Sequence, residues 1–111
     1  MTAISLAVLR VAYYARRGMA DARLLVLVSL LDGPKHGYAI QADVNSFAAV
    51  HLGPGTLYGA LNSLERDGLV EALPSDQRRR PYRLTQDGRQ QLRDQLDELD
   101  RIRQRATPAV T

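Results

Sequence analysis

Gly53 to Thr85 reads GPGTLYGALNSLERDGLVEALPSDQRRRPYRLT, and the order of residue types along it decides the fold. Gly53 suits an N-cap. Pro54 suits the first helical position, where its missing N–H costs nothing. Leu57, Ala60, Leu61 and Leu64 then recur at steps of three and four, which predicts a helix with one apolar stripe. Glu65-Arg66-Asp67 is polar, and Gly68 supplies the left-handed residue that ends many helices. Opposite the stripe stand Thr56, Tyr58, Gly59, Asn62 and Ser63, a small polar face with one phenol and no acid. Leu69 to Leu73 then has strand character, Pro74 to Gln77 is turn composition, and Arg78-Arg79-Arg80 follows without an interrupting acid. Pro81 opens a return strand, a position that tolerates proline, with Tyr82 and Leu84 on one face and Arg83 on the other.

A helix followed by an arginine-tipped hairpin is the layout of a winged helix-turn-helix. In that arrangement one helix can enter a DNA groove while the hairpin beside it touches the backbone. The predicted fold class is therefore mainly α with a small two-stranded β wing. The outer face of the 54–66 helix can approach a phosphate-lined groove closely without electrostatic penalty.

Composition supports this placement. A chain of 111 residues suggests one small domain with a limited core, for which oligomerisation is a common remedy. Net charge is +3, and the whole excess lies before the last helix: residues 1–84 carry ten Arg/Lys against seven Asp/Glu, residues 85–111 five of each. Fourteen of the fifteen basic residues are Arg, whose fork matches phosphate and guanine. The absence of cysteine excludes a disulfide framework and a thiolate metal site. The longest apolar run, Leu24 to Leu31 with Ser29 inside it, falls far short of the roughly 20 residues needed to span a bilayer. The first residues are only faintly signal-like, since Arg10 interrupts the apolar run and the other charges follow it. A retained, cytoplasmic chain is expected, without membrane attachment.

Along the rest of the chain, segment 1–18 predicts an N-terminal helix over residues 3–16, apolar on most sides (Ile4, Leu6, Val8, Leu9, Val11, Tyr13, Tyr14). It suits packing or dimerisation. Residues 19–85 form the expected DNA-binding domain. Within it, Asp21 caps a helix over about 22–31, Asp32-Gly33-Pro34 stops it, and a weaker helix runs from His36 or Gly37 to Asn45. Thr85 caps a last helix over 86–106, with Asp87 in its first turn as the helix dipole favours. On it Leu92, Leu96, Leu99 and Ile102 form one apolar seam suited to a partner helix, and 107–111 is read as a tail.

These pieces together resemble the PadR-like transcriptional regulators. The matching residues are Leu30-Leu31-Asp32-Gly33-Pro34, His36-Gly37-Tyr38, Pro54 to Leu61, Leu64 to Val70 and Arg79 to Gly88, in family order over about residues 21–90. The resemblance implies a winged helix-turn-helix with a C-terminal dimerisation helix. It also implies a homodimeric regulator, mostly a repressor in this family, that binds double-stranded DNA at a palindromic operator. Some members release DNA when a small-molecule effector binds. By the same resemblance, Thr56 and Tyr58 face DNA, Gly53-Pro54-Gly55 lies at the phosphate-facing helix start, and Arg79 and Arg80 lie in the wing.

Each reading has a plainer counterpart. Tyr58 is read as a base or phosphate contact, against an aromatic that covers the hairpin. Arg78, Arg79 and Arg80 are read as phosphate or minor-groove contacts, against a solvated turn. Asn62 and Ser63 are read as base contacts, against a surface polar pair. His36 and His51 have no ligand partners at metal spacing, so His36 is expected to cap or pack. The acids of the last helix interleave with arginines and read as an ion-paired face. No nucleophile–base pair, P-loop or dinucleotide fingerprint is present, so no cofactor and no enzymatic chemistry is expected. The competing class is a winged helix that binds protein instead of DNA.

Overall fold

The structure, a computed structural model, describes residues 21–48, 50–75 and 78–110. The expected helix over 3–16 lies outside the described residues, as do Asp76 and Gln77 of the expected turn. The element order is helix α1 (residues 21–29), a 3-10 turn Leu30–Asp32, strand β1 (Lys35–His36), α2 (Gly37–Phe47), α3 (Pro54–Arg66), β2 (Val70–Ala72), β3 (Pro81–Leu84) and α4 (Gln86–Val110).

The helices form around one core. Ala22, Val26, Leu27 and Leu30 meet Ile40 and Val44 of α2 and the α3 stripe, and Leu52, Val70, Leu84 and Leu92 close the rim. Leu57, Ala60, Leu61 and Leu64 are each 0% exposed, as their spacing requires. Full burial is worth about 1.5–3 kcal/mol for each leucine among them. Gly68, at φ 75°, ends α3 in the left-handed conformation.

The wing contains one strand more than the hairpin alone. β2 and β3 pair antiparallel with Val70 opposite Leu84, Glu71 opposite Arg83 and Ala72 opposite Tyr82. β1 adds to the other edge of β3, with Lys35 opposite Tyr82 and His36 opposite Pro81, giving the order β1-β3-β2. Glu71 and Arg83 form a cross-strand ion pair. Lys35, the chain's only lysine, donates to the Ser29 carbonyl and to Asp32. Ser29 in turn donates to Asp43 at 2.7 Å, so the turn between α1 and α2 is pinned from both sides. The Lys35 hydrogen bond and charge hold the Asp32 carboxyl below its ordinary range.

Two expectations are corrected at the C-terminal side. α4 does not stop at 106 but continues to Val110, so residues 107–110 are helix and not tail, with Pro108 inside the last turns. Leu92 is not part of an exposed seam: it is 2% exposed and belongs to the chain's own core. The free seam reduces to Leu96, Leu99 and Ile102, which are 43%, 49% and 58% exposed.

The root of α4 is fixed by Thr85. Its Oγ1 accepts from the Gly88 N–H at 3.0 Å and donates to the Gly68 carbonyl at 2.7 Å. Its backbone N–H donates to the Leu69 carbonyl at 3.2 Å. Gly88 is required by this closeness, because a Cβ there would stand 2.0 Å from the Leu69 oxygen, a backbone atom that cannot swing aside. Gly88→Ala is therefore expected to destabilise the chain by about 1–3 kcal/mol through overpacking, although the helix propensity of alanine acts in the opposite direction by up to about 1 kcal/mol. Urea unfolding followed by circular dichroism checks the sign.

Candidate nucleic-acid interface

Three elements converge on one cleft of about 430 Å³. α2 contributes Gly37, Tyr38 and Gln41, α3 contributes Pro54 and Tyr58, and the hairpin contributes Arg78, Arg79, Arg80 and Tyr82. No carboxylate stands among the described lining residues. The cleft thus combines three guanidiniums, three phenols and the start of the stripe-bearing helix.

Local bonding sets α3 against α2. Gln41 Nε2 donates to the Leu52 carbonyl at 2.9 Å, and the Leu52 N–H donates to Asn45 Oδ1 at 2.7 Å. The segment before α3 is thereby tied to α2 by two side chains. Gly53 caps α3 through its carbonyl, which accepts from the Leu57 N–H at 3.0 Å, and makes no side-chain cap bond. No side-chain cap among the described residues therefore occupies the first-turn N–H groups of α3, the kind of donors that suit an outside acceptor.

At the hairpin, the Leu73 N–H donates to the Pro81 carbonyl at 2.8 Å, which closes the ladder just before the arginines. Arg78, Arg79 and Arg80 are exposed. Tyr82 is half-buried against the core. Burial pushes its phenol up from the ordinary value, with Glu65 and Tyr58 adding to this and Arg80 opposing it. It therefore stays protonated and remains a hydrogen-bond donor at neutral pH.

The sequence-predicted residues divide between four places. Pro54, Tyr58, Arg78, Arg79 and Arg80 meet in the cleft. Gly55 and Asn62 are exposed on the surface of α3. Thr56, also exposed, borders a different depression of about 290 Å³, with Asp21, Ala22, Leu25, Val50, His51 and Leu52. Ser63 is withdrawn from the outer face, because Arg23 of α1 donates to its hydroxyl while pairing with Asp67 at 2.9 Å. Sequence reasoning did not assign Tyr38 and Gln41 to the site. A signal was present in Tyr38, a large aromatic off the Ile40–Val44 stripe, and it proves 68% exposed. His36 precedes α2 at the cap position without a side-chain cap bond, and its Nδ1 is buried without a hydrogen-bond partner among the described residues, so it packs and does not cap. Among the described residues no group of three His, Cys, Asp or Glu could hold a metal ion, and no helix is long and apolar enough to cross a membrane.

The chain has clear relatives. A family model described as the transcriptional regulator PadR-like family matches residues 26–94. A 37.1 kDa protein in transposon TN4556 of Streptomyces fradiae is 46% identical over 82 residues, which are 74% of this chain. The match spans only 24% of that protein, so the chain corresponds to about a quarter of its length. Among solved structures, a PadR family transcription regulator from Clostridium difficile R20291 superposes with a TM-score of 0.74 at 24% identity, over 81% of this chain and 98% of that one. RosR of H. salinarum does so with a TM-score of 0.64 at 28% identity, over 80% and 87%.

The Arg23 contacts hold α1 against the C-terminal end of α3. Arg23→Met is expected to lower stability by about 0.5–1.5 kcal/mol, a modest figure because Asp67 is half exposed. The shift of the urea midpoint measures it.

Proposed function

The chain belongs to the PadR-like family of transcriptional regulators, and from that premise we propose that it is a repressor that binds a palindromic operator as a homodimer. The observation that carries the proposal is the cleft where the α3 start and Arg78, Arg79 and Arg80 face the same side with no described carboxylate between them. In this reading the outer face of α3 enters the major groove. Tyr58 and Asn62 meet bases or the sugar-phosphate edge, and Pro54, Gly55 and Thr56 lie along a phosphate strand. The wing arginines contact neighbouring phosphates or the minor groove, which supplies affinity without sequence preference. Discrimination then rests on the few side chains of α3.

Assembly is proposed from the exposed seam of α4. Leu96, Leu99 and Ile102 would be costly to leave in water, and a two-fold pairing of α4 helices covers them in both copies at once. The apolar segment 3–16 is proposed to join this interface. A two-fold dimer sets two α3 helices about 34 Å apart, one turn of DNA, which is the geometric reason for a palindrome. The cytoplasm is the compartment where such a regulator meets its DNA.

Selection of bound sites from random duplex DNA tests the reading directly. A symmetric pair of half-sites is the expected product. Recovery of no enriched sequence, together with salt-independent weak retention on a DNA column, would instead mark a protein-binding module. Arg79→Ala with Arg80→Ala should weaken binding to all sequences about equally and flatten the plot of log affinity against log salt by about one unit per lost phosphate contact. Leu96→Glu with Leu99→Glu should convert the dimer to monomers in sedimentation and abolish operator binding, although neither residue faces DNA in this reading. A wild-type monomer at micromolar concentration that binds one half-site tightly contradicts the assembly.

A further inference from the structure

Tyr58 lies across the first turn of α2. A Cβ built on Gly37 would stand 2.7 Å from the Tyr58 hydroxyl oxygen and 3.1 Å from two of its ring carbons. The absent side chain of Gly37 is therefore the seat that the ring occupies. Gly37 is buried beneath it, yet Tyr58 itself remains 47% exposed. Nothing in the backbone demands glycine here, since Gly37 is an ordinary first residue of α2 and not one of the positive-φ glycines. What demands it is the phenol.

We propose that Gly37 is a positioning residue of the DNA-reading surface: by leaving room for the ring it fixes Tyr58 over α2 before DNA arrives. The inference rests on the reading of Tyr58 as a DNA contact. A half-exposed tyrosine free to rotate would have to be ordered on binding. One already seated against α2 presents its phenol to the groove at a set height and angle. The same contact places Tyr58 beside Tyr38 and Gln41, so two helices offer one continuous surface.

The chemistry of the clash makes the test clean. Where a new methyl meets the far end of a flexible side chain, that side chain moves and the fold is retained. Alanine also suits a helix better than glycine. Gly37→Ala is thus expected to melt at the wild-type temperature or above it. Its affinity for the duplex recovered by site selection should fall by roughly three- to tenfold, the scale of one unseated side chain. A double-mutant cycle separates positioning from general damage. In a Tyr58→Ala background, Gly37→Ala should change affinity by less than about twofold, because there is no ring left to displace. With fluorinated tyrosine, the Tyr58 resonance of the DNA-free protein should shift in Gly37→Ala.

Three results overturn the proposal. The first is a Gly37→Ala variant that binds like wild type while Tyr58→Ala is impaired. The second is an equal loss in both backgrounds. The third is a collapse of the Gly37→Ala melt, which would make Gly37 a support of the fold and not of the tyrosine. Full binding by Tyr58→Ala is a different failure: it removes the reading of Tyr58 as a DNA contact, and the positioning role with it.

Discussion

The rotation of α3 about its own axis is the constraint from which the rest follows. A helix laid on a core has one free angle, and Leu57, Ala60, Leu61 and Leu64 remove it by going to zero exposure together. Successive residues advance by about 100°, so a buried stripe at these positions leaves Tyr58 and Asn62 no choice but the outside. Rotating the helix to bury Tyr58 instead would expose leucines worth about 1.5–3 kcal/mol each. The outer face is therefore selected by what the inner face needs, and its chemistry is free to serve something other than stability.

The wing obeys a complementary rule. Its strands are held by pairs made at its base: Leu84 and Val70 are buried, Glu71 pairs with Arg83, and Tyr82 leans on the core. None of these contacts uses Arg78, Arg79 or Arg80. Three adjacent guanidiniums repel one another in the free protein, and they take no part in the described strand pairs of the ladder that carries them. Such charges are tolerated because they are solvated, and a polyanion relieves their repulsion by replacing counterions.

Much of this was legible in the sequence because it depends on neighbours three or four residues apart. The α3 stripe, the Gly68 stop and the Thr85 cap are all local signals. What was not legible depends on partners far along the chain. β1 is two residues long and becomes a strand only because Tyr82 and Pro81 accept it as an edge. Ser63 looked available until Arg23, forty residues earlier, took its hydroxyl. Leu92 matches Leu96, Leu99 and Ile102 in spacing, and nothing in that spacing marks the point where α4 leaves the domain. Tyr38 and Gln41 enter the cleft only because α2 packs beside α3. Thr107 and Pro108 read as helix-breaking in isolation, yet the helix continues to Val110.

The junction at Gly88 has a mechanical consequence. With no room for a side chain between Gly88 of α4 and the Leu69 carbonyl, and with Thr85 bonded to both Gly68 and Gly88, the long helix is anchored at its root beside the start of β2. It is a lever welded at its root. The 25 residues of α4 extend about 37 Å, so a tilt of about 5° at the weld moves the far end by about 3 Å. Run backwards, the same ratio is a mechanical advantage. In the proposed dimer, whatever holds the tip of α4 would steer α3 and the wing through small angles.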